Sequence, residues 1–402
     1  MKNFAEFFAG VGLVNEGLVP HGWECIWAND ISANKQETYL ANYGGDEFWL
    51  GDIWDVAKNP SVIEDDVFLY TASFPCTDLS VAGARAGLAG AESGTLHALI
   101  EILSQKRAKG TKPKVVLLEN VRGFLTSNDG LDVAETVRLL NSLDYRVDII
   151  DLDAIHFSAQ SRPRVFVIAV DNTLASKVML RKSDVNILDS WWSYFDKSPI
   201  MRTEKIRKII LANPDLDWGL FDINCNPVSD TRLIDIVETD ESSNSLLWWN
   251  DERKAHIHSQ MNDRHLRILE EMIAGDNYSY GTVYRRMRKG KSMAELRTDG
   301  YAGCLRTPKG GSSKQILIEA GKGGWKVRLL TPREYARLQG VRDSFILPDN
   351  ANKGYFAMGD AVCVPVIEFI AEHILNPIYE AAQKSASVIL EPVPEYLRQA
   401  AG

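Results

Sequence analysis

At 402 residues, 45% hydrophobic and 25% charged, the chain has the makeup of a soluble globular protein, and its length favours two domains over one small core. No uninterrupted apolar run approaches the ~20 residues that span a bilayer, and residues 1–6, with an early acid, make a poor secretory signal. The net charge of −9 argues against a uniformly basic nucleic-acid binder, yet residues 253–342 hold 19 basic and 8 acidic side chains: a basic module on an acidic body.

In chain order, apolar strand patterns fall at 3–8, 24–29, 67–73, 115–119, 146–151 and 164–170, with helical spacing at 98–109 and 133–143. This alternation predicts an α/β fold, a doubly wound Rossmann-like sheet that binds ligands at the carboxyl ends of its strands, with a second, smaller domain. After Asp171 the rhythm breaks. Residues 184–252 are acidic and carry the pairs Trp191-Trp192 and Trp248-Trp249, read as anchors docking an insertion on the main body. Basic, glycine-rich loops follow at 284–291 and 307–314, and residues 361–375 predict a helix returning to the first domain.

Five cysteines (Cys25, Cys76, Cys225, Cys304, Cys363) form no CxxC pair, and the histidines show no metal spacing. Neither a disulfide framework nor a metal site is expected, which fits a reducing cytoplasm. Gly290-Lys291-Ser292 resembles the end of a phosphate loop, but Arg285 stands where the upstream glycine is required.

Four segments suggest chemistry. Phe8-Ala9-Gly10-Val11-Gly12 is a glycine turn between a strand and a helix, suited to a nucleotide-like ligand close to the backbone. Asn15 replaces the third glycine of a dinucleotide fingerprint, which disfavours an oxidoreductase. Cys76 follows Pro75 at the end of an apolar strand, presenting a thiol from a rigid turn. Cytosine C5 is a poor nucleophile; thiolate attack at C6 activates it if an acid engages N3 and a donor holds O2. Glu119, at the end of the apolar run 115–118, suits the acid, and a partly buried carboxyl with a raised pKa would serve best. Arg162 and Arg164 supply rigid donors at the start of another strand.

Taken in order, FAGVG, the acids of AND and GDI, FPCTDLS, ENV, QSRPR, RLLTPREYARLQG and GDAV resemble the motif series of the DNA (cytosine-5)-methyltransferases. The resemblance implies a fold and cofactor: a methyltransferase sheet using S-adenosyl-L-methionine. Phe8, Gly10, Gly12, Ile31 and Pro75 would line that cofactor, with Asp30 at its ribose and Asp52 with Ile53 at its adenine. Asp360, Ala361 and Val362 would close the site. Cys76 would be the nucleophile, Glu119 the N3 contact, and Arg162 and Arg164 the pocket's organisers, Arg164 nearest the base. Thr77, Leu13 and Asp360 depart from frequent family residues (Gln, Gly and Asn), but none removes a reacting group.

The resemblance further implies a catalytic domain at 1–180, completed by 346–402, and a target-recognition domain at 181–345. Residues 303–313 resemble the family's Thr-Leu-plus-glycine recognition core. Arg285, Arg286, Arg288, Arg306, Lys309, Gly310 and Gly311 are the expected contacts to double-stranded DNA, whose target base must flip out of the stack. A cytoplasmic bacterial or phage enzyme is expected, solitary or in a restriction–modification system whose endonuclease acts on the same site. The alternative is a transfer-RNA-type cytosine methyltransferase, and the long recognition insert favours DNA. A binding protein that has lost catalysis is disfavoured by intact Cys76, Glu119 and Arg164.

Overall fold

The structure, a computed structural model, describes residues 1–75, 94–181, 188–239, 247–288, 290–307 and 314–390. The first part runs β1 (Asn3–Phe7), α1 (Leu13–Leu18), β2 (Glu24–Asp30), α2 (Ala33–Tyr43), β3 (Phe48–Leu50), α3 (Ile53–Lys58), β4 (Leu69–Ala72), α4 (Thr95–Ala108), β5 (Val115–Val121), α5 (Leu131–Ser142), β6 (Tyr145–Asp153) and β7 (Pro163–Asp171). Its seven strands are ordered β3-β2-β1-β4-β5-β7-β6, all parallel except β7, which runs antiparallel to both neighbours. Runs such as 115–118 are apolar and buried on both faces because helices cover both faces of the sheet. The order reverses between β1 and β4, so the glycine turn after β1 and the Pro75 turn after β4 open on one crevice at the strands' carboxyl ends.

Beyond β7 the chain forms α6 (Asn172–Val178), β8 (Leu180–Arg181), α7 (Leu188–Asp196), α8 (Glu204–Ala212), β9 (Gly219–Leu220) and α9 (Leu233–Ile236). Trp191, Ile206, Ile209, Trp218 and Leu220 share a core with Val147, Val165 and Val167 of the large sheet. Arg202 forks onto the buried Asp148 carboxylate, with Nη2 2.7 Å from Oδ2. Trp191 thus anchors as expected, but the chain does not leave the first core at 181: side chains from Trp191 to Leu220 still pack in it.

A separate core forms later. Helices α10 (Asp251–Ser259) and α11 (Asp263–Ala274) precede β10 (Ser279–Arg288), β11 (Lys291–Arg297), β12 (Ile316–Gly321) and β13 (Gly324–Leu329). These strands make an antiparallel sheet ordered β11-β10-β12-β13. Val283, Leu296, Ile318 and Val327 pack there on Ile257 and Leu269 of the helices.

The return begins at α12 (Pro332–Leu338), where Thr331 and Glu334 form a capping box with Pro332 in the first turn. The fully buried Glu334 also holds the fully buried Arg328, with two N–O distances of 2.6 and 2.7 Å. This fork ties the end of β13 to the returning helix. Then come α13 (Ala351–Asp360), α14 (Val364–Ile370) and α15 (Asn376–Leu390). The helix expected at 361–375 starts at Val364, with Pro365 in its first turn, and ends in a π turn at Ala371–Leu375. The stretch Ala351–Ser385 is long and apolar enough to cross a membrane, but 61% of its most apolar window is buried in the protein, as in a core helix.

Candidate active site

Adjacent strands place the groups expected at the target base. Glu119 ends the apolar run of β5, and Arg164 lies in β7, paired with Val121. The Arg164 Nε is 2.9 Å from the Glu119 Oε1, both side chains being only slightly exposed. The carboxyl is therefore partly buried and paired with a guanidinium. Asn120, beside it, donates to the Phe74 carbonyl at 3.1 Å and accepts from Val121 N–H. This hydrogen bond fixes the end of the β4 turn, one residue before Pro75, against β5. Cys76 lies outside the described residues.

Arg162, two residues before Arg164, turns to backbone carbonyls of other segments. It is 1% exposed and donates to the Leu305 and Gly359 carbonyls at 3.0 and 3.2 Å, with Cys304 Sγ at 3.6 Å. Burial, and then the neighbouring Arg164 charge, pulls its pKa down. Such a side chain is a positioning residue that fastens two chain segments. Gln160 fastens the same junction: its Nε2 donates to Leu338 O and Gln339 Oε1, and Leu305 N–H donates to its Oε1. Gln339 in turn holds the Met358 and Ala361 carbonyls. The motifs QSRPR, RLQG and GDAV, far apart in sequence, thus form one buried hydrogen-bonded junction. Asn120 and Gln339 were not singled out from sequence, although each lies inside a quoted motif.

The turn after β1 carries left-handed backbone at Phe8 (φ 55), Gly10 (φ 61) and Gly12 (φ 82). A Cβ on Gly12 would sit 2.5 Å from the Tyr43 ring, so the position needs glycine twice over. Above Gly10 the space is open, with only the Phe8 carbonyl at 4.0 Å. Asp30, ending β2, accepts from Gly10 N–H at 2.9 Å and from Ser32 N–H at 2.8 Å, which locks the turn to the next strand. Ile31 is 71% exposed beside it. Asp52 caps α3 through Trp54 N–H at 3.0 Å. Lys35 lies 3.9 Å from Asp30 and 3.6 Å from Asp360, drawing the GDAV segment over the same crevice. An open glycine turn, the Asp30 carboxylate at the end of β2 and an exposed apolar neighbour could hold an adenosine-bearing cofactor. Ile53 and Val362 do not line it through their side chains, which are 3% and 5% exposed and belong to the two cores.

On the second sheet Arg286 and Arg288 are exposed and both reach Glu295 across the β10–β11 hairpin, at 3.4 and 2.6 Å. Tyr284 lies between Arg286 and Arg306, whose guanidiniums are 5.1 and 5.2 Å from its ring centre. Arg285 alternates to the other face, with Val283, where Arg253 of α10 is its charged neighbour. The structure therefore groups Arg286, Arg288 and Arg306 but sets Arg285 apart. Lys309, Gly310 and Gly311 lie outside the described residues. No group of three metal-binding side chains occurs among the described residues.

The sequence model of the C-5 cytosine-specific DNA methylase family matches residues 2–376. Among curated relatives, the Type II methyltransferase M.NlaX of Neisseria lactamica is 29% identical over 93% of this chain and 96% of its own. The Type II methyltransferase M.Bsp6I of Bacillus sp. (strain RFL6) is 28% identical over 93% and 98%. The crystal structure of the S. pombe Dnmt2 methyltransferase shares the fold with a TM-score of 0.58 at 16% identity, covering 94% of this chain and 99% of that one. By the match over nearly its whole length, with the motif segments gathered at one crevice, this chain belongs to the C-5 cytosine-specific DNA methylase family.

Proposed function

We propose that the chain methylates C5 of cytosine within a specific double-stranded DNA sequence, using S-adenosyl-L-methionine bound over the β1 turn. The supporting observation is the Glu119–Arg164 pair on neighbouring strands, next to the turn that leads through Pro75 into Cys76. The cofactor, when bound, supplies an electrophilic methyl group. The open Gly10 surface would admit its backbone-facing side, Asp30 its ribose hydroxyls and Asp52 its adenine. In the base pocket the Cys76 thiolate adds to C6, the C5=C6 electron pair shifts to C5, and Glu119 supplies a proton at N3. After C5 takes the methyl group, a base removes the C5 proton. The C6–S bond then breaks, the thiolate leaves and the N3 proton returns. Arg164 holds the polar edge of the ring, while Arg162 and Asn120 fix the segments around it.

We assign residues 1–239 and 331–390 to the catalytic part and 248–330 to target recognition, because the latter carry the second core and the Tyr284–Arg286–Arg306 cluster. A cytoplasmic enzyme, alone or beside a separately encoded endonuclease for the same site, follows from this reading. The test is bisulfite sequencing of DNA from a methylation-free host expressing the chain or its Cys76→Ser form. Protected cytosines in one short motif, absent with the variant, are expected. Full conversion with both soluble proteins would refute DNA methylation, and transfer RNA would become the next substrate.

A further inference from the structure

The second sheet carries a basic arm with a single acid. Pairing with β12 covers residues 279–283, whereas pairing with β11 continues to Arg288, so among the described residues 284–288 and 291–295 form a two-stranded ribbon. Within residues 279–298 the sequence holds six basic side chains, and Glu295 is the one acid. Strand alternation puts Tyr284, Arg286 and Arg288 on one face, and the register sets Glu295 directly across from Tyr284 on that face. The face adjoins the catalytic crevice. Arg306, whose guanidinium is 5.2 Å from the Tyr284 ring centre, has its backbone against Gly359, where a Cβ would lie 2.6 Å away. It directly follows Leu305, whose carbonyl takes Arg162.

Glu295 takes both arginines of the ribbon face. Its Oε1 lies 2.6 Å from Arg288 Nη2 and its Oε2 lies 3.4 Å from Arg286 Nε. Arg286 is held a second time by the Tyr284 ring, whose centre is 5.1 Å from the guanidinium carbon. With Nε turned to the carboxylate, Nη1 and Nη2 are the edge left for a partner, on a side chain that is 56% exposed. Exposed ion pairs contribute little to stability, and a carboxylate facing DNA repels phosphates. What Glu295 changes is the freedom of Arg286. A loose guanidinium suits a phosphate anywhere along the backbone, whereas a fixed one suits the paired acceptors O6 and N7 of guanine. Those acceptors lie in the major groove, which is wide enough to admit a two-stranded ribbon.

We propose that Glu295 is a positioning residue that sets sequence specificity: together with Tyr284 it aims Arg286 at the major-groove edge of one guanine in the target sequence. The proposal rests on the reading of the chain as a methyltransferase for double-stranded DNA. Without the carboxylate, Arg286 would keep its charge and its attraction to DNA but lose its aim at the base.

Bisulfite sequencing of DNA methylated by the intact protein defines the target sequence. Methyl-transfer kcat/KM is then measured on that duplex and on duplexes with one base pair changed at a time, for the intact protein, Arg286→Ala, Glu295→Ala and Glu295→Gln. Arg286→Ala is expected to lower kcat/KM on the target duplex about ten- to a hundredfold and to lose discrimination at one G·C pair. Glu295→Ala should lower discrimination at that same pair by about three- to tenfold, part of the full contact. Glu295→Gln, which keeps an acceptor without the charge, should fall between it and the intact protein. A residue serving only stability or solubility would leave the discrimination ratios unmoved. The proposal is overturned if Glu295→Ala keeps every ratio, or if it and Arg286→Ala lose discrimination at different pairs. An even loss over all duplexes in Arg286→Ala, as from a phosphate contact, overturns it too. An intact protein that methylates no DNA sequence refutes the functional reading and this proposal together. A target sequence methylated by the intact protein, with ratios unchanged in the variants, refutes the proposal alone.

Discussion

Replacing Glu6 with Gln should stabilise the protein at high pH and leave it unchanged at low pH. Glu6 lies in β1, only 2% exposed, and its Oε2 has no hydrogen-bond partner in the structure. Its carboxyl faces the backbone N–H groups of Val14 and Asn15 in α1, which favour the charged form, but burial wins and Asp30 adds to it, raising the pKa to about 8. The folded protein therefore keeps this proton between roughly pH 4.5 and 8, whereas the unfolded chain releases it. Stability from this group is fully present below the unfolded value and is lost as pH rises through the folded one. At about 1.36 kcal/mol for each pH unit, the loss is roughly 3–5 kcal/mol by the time the group ionises. Glutamine resembles the protonated acid: its oxygen can still accept from α1, and it carries no charge to bury. Urea unfolding of both proteins at several pH values from about 5 to about 9 tests this. The two curves should nearly meet at about pH 5, draw apart steadily as pH rises to about 8 and keep a constant gap above it, with Glu6→Gln the more stable. Parallel curves would refute the reasoning, because groups common to both proteins cancel in the difference.

Asn120→Ala removes the donor to Phe74 O, and should cost about 1–2 kcal/mol of stability but lower kcat on the order of ten- to a hundredfold, as read from unfolding and methyl-transfer assays. Gly12→Ala forces a Cβ into the Tyr43 ring at a φ of 82°, so a destabilisation of about 1–3 kcal/mol and weaker cofactor binding by calorimetry are expected. Arg328→Met leaves the buried Glu334 without its cation and should cost about 3–5 kcal/mol in chemical unfolding. Arg306→Ala should reduce the slope of log affinity for DNA against log salt by about 1, if its guanidinium reaches a phosphate beside Tyr284.

The sequence by itself determined the strand–helix alternation of the first sheet, because apolar runs bounded by turns leave little local choice. The strands expected at 3–8, 115–119 and 164–170 form at Asn3–Phe7, Val115–Val121 and Pro163–Asp171. Family membership was legible for the same reason, since the reacting residues sit at strand ends where short motifs persist. Tertiary structure decided what depends on contacts far apart in the chain. Arg162 and Arg164 are two residues apart, yet one is fully buried against Leu305 and Gly359 while the other meets Glu119. Arg285 and Arg286 are adjacent, but strand alternation sends them to opposite faces. The acidic segment after β7 looked like the start of a second domain because the strand–helix rhythm breaks after Asp171. Trp191, Ile206 and Trp218 place it in the first core, because a few large apolar side chains decide where a segment packs while its charges remain in water.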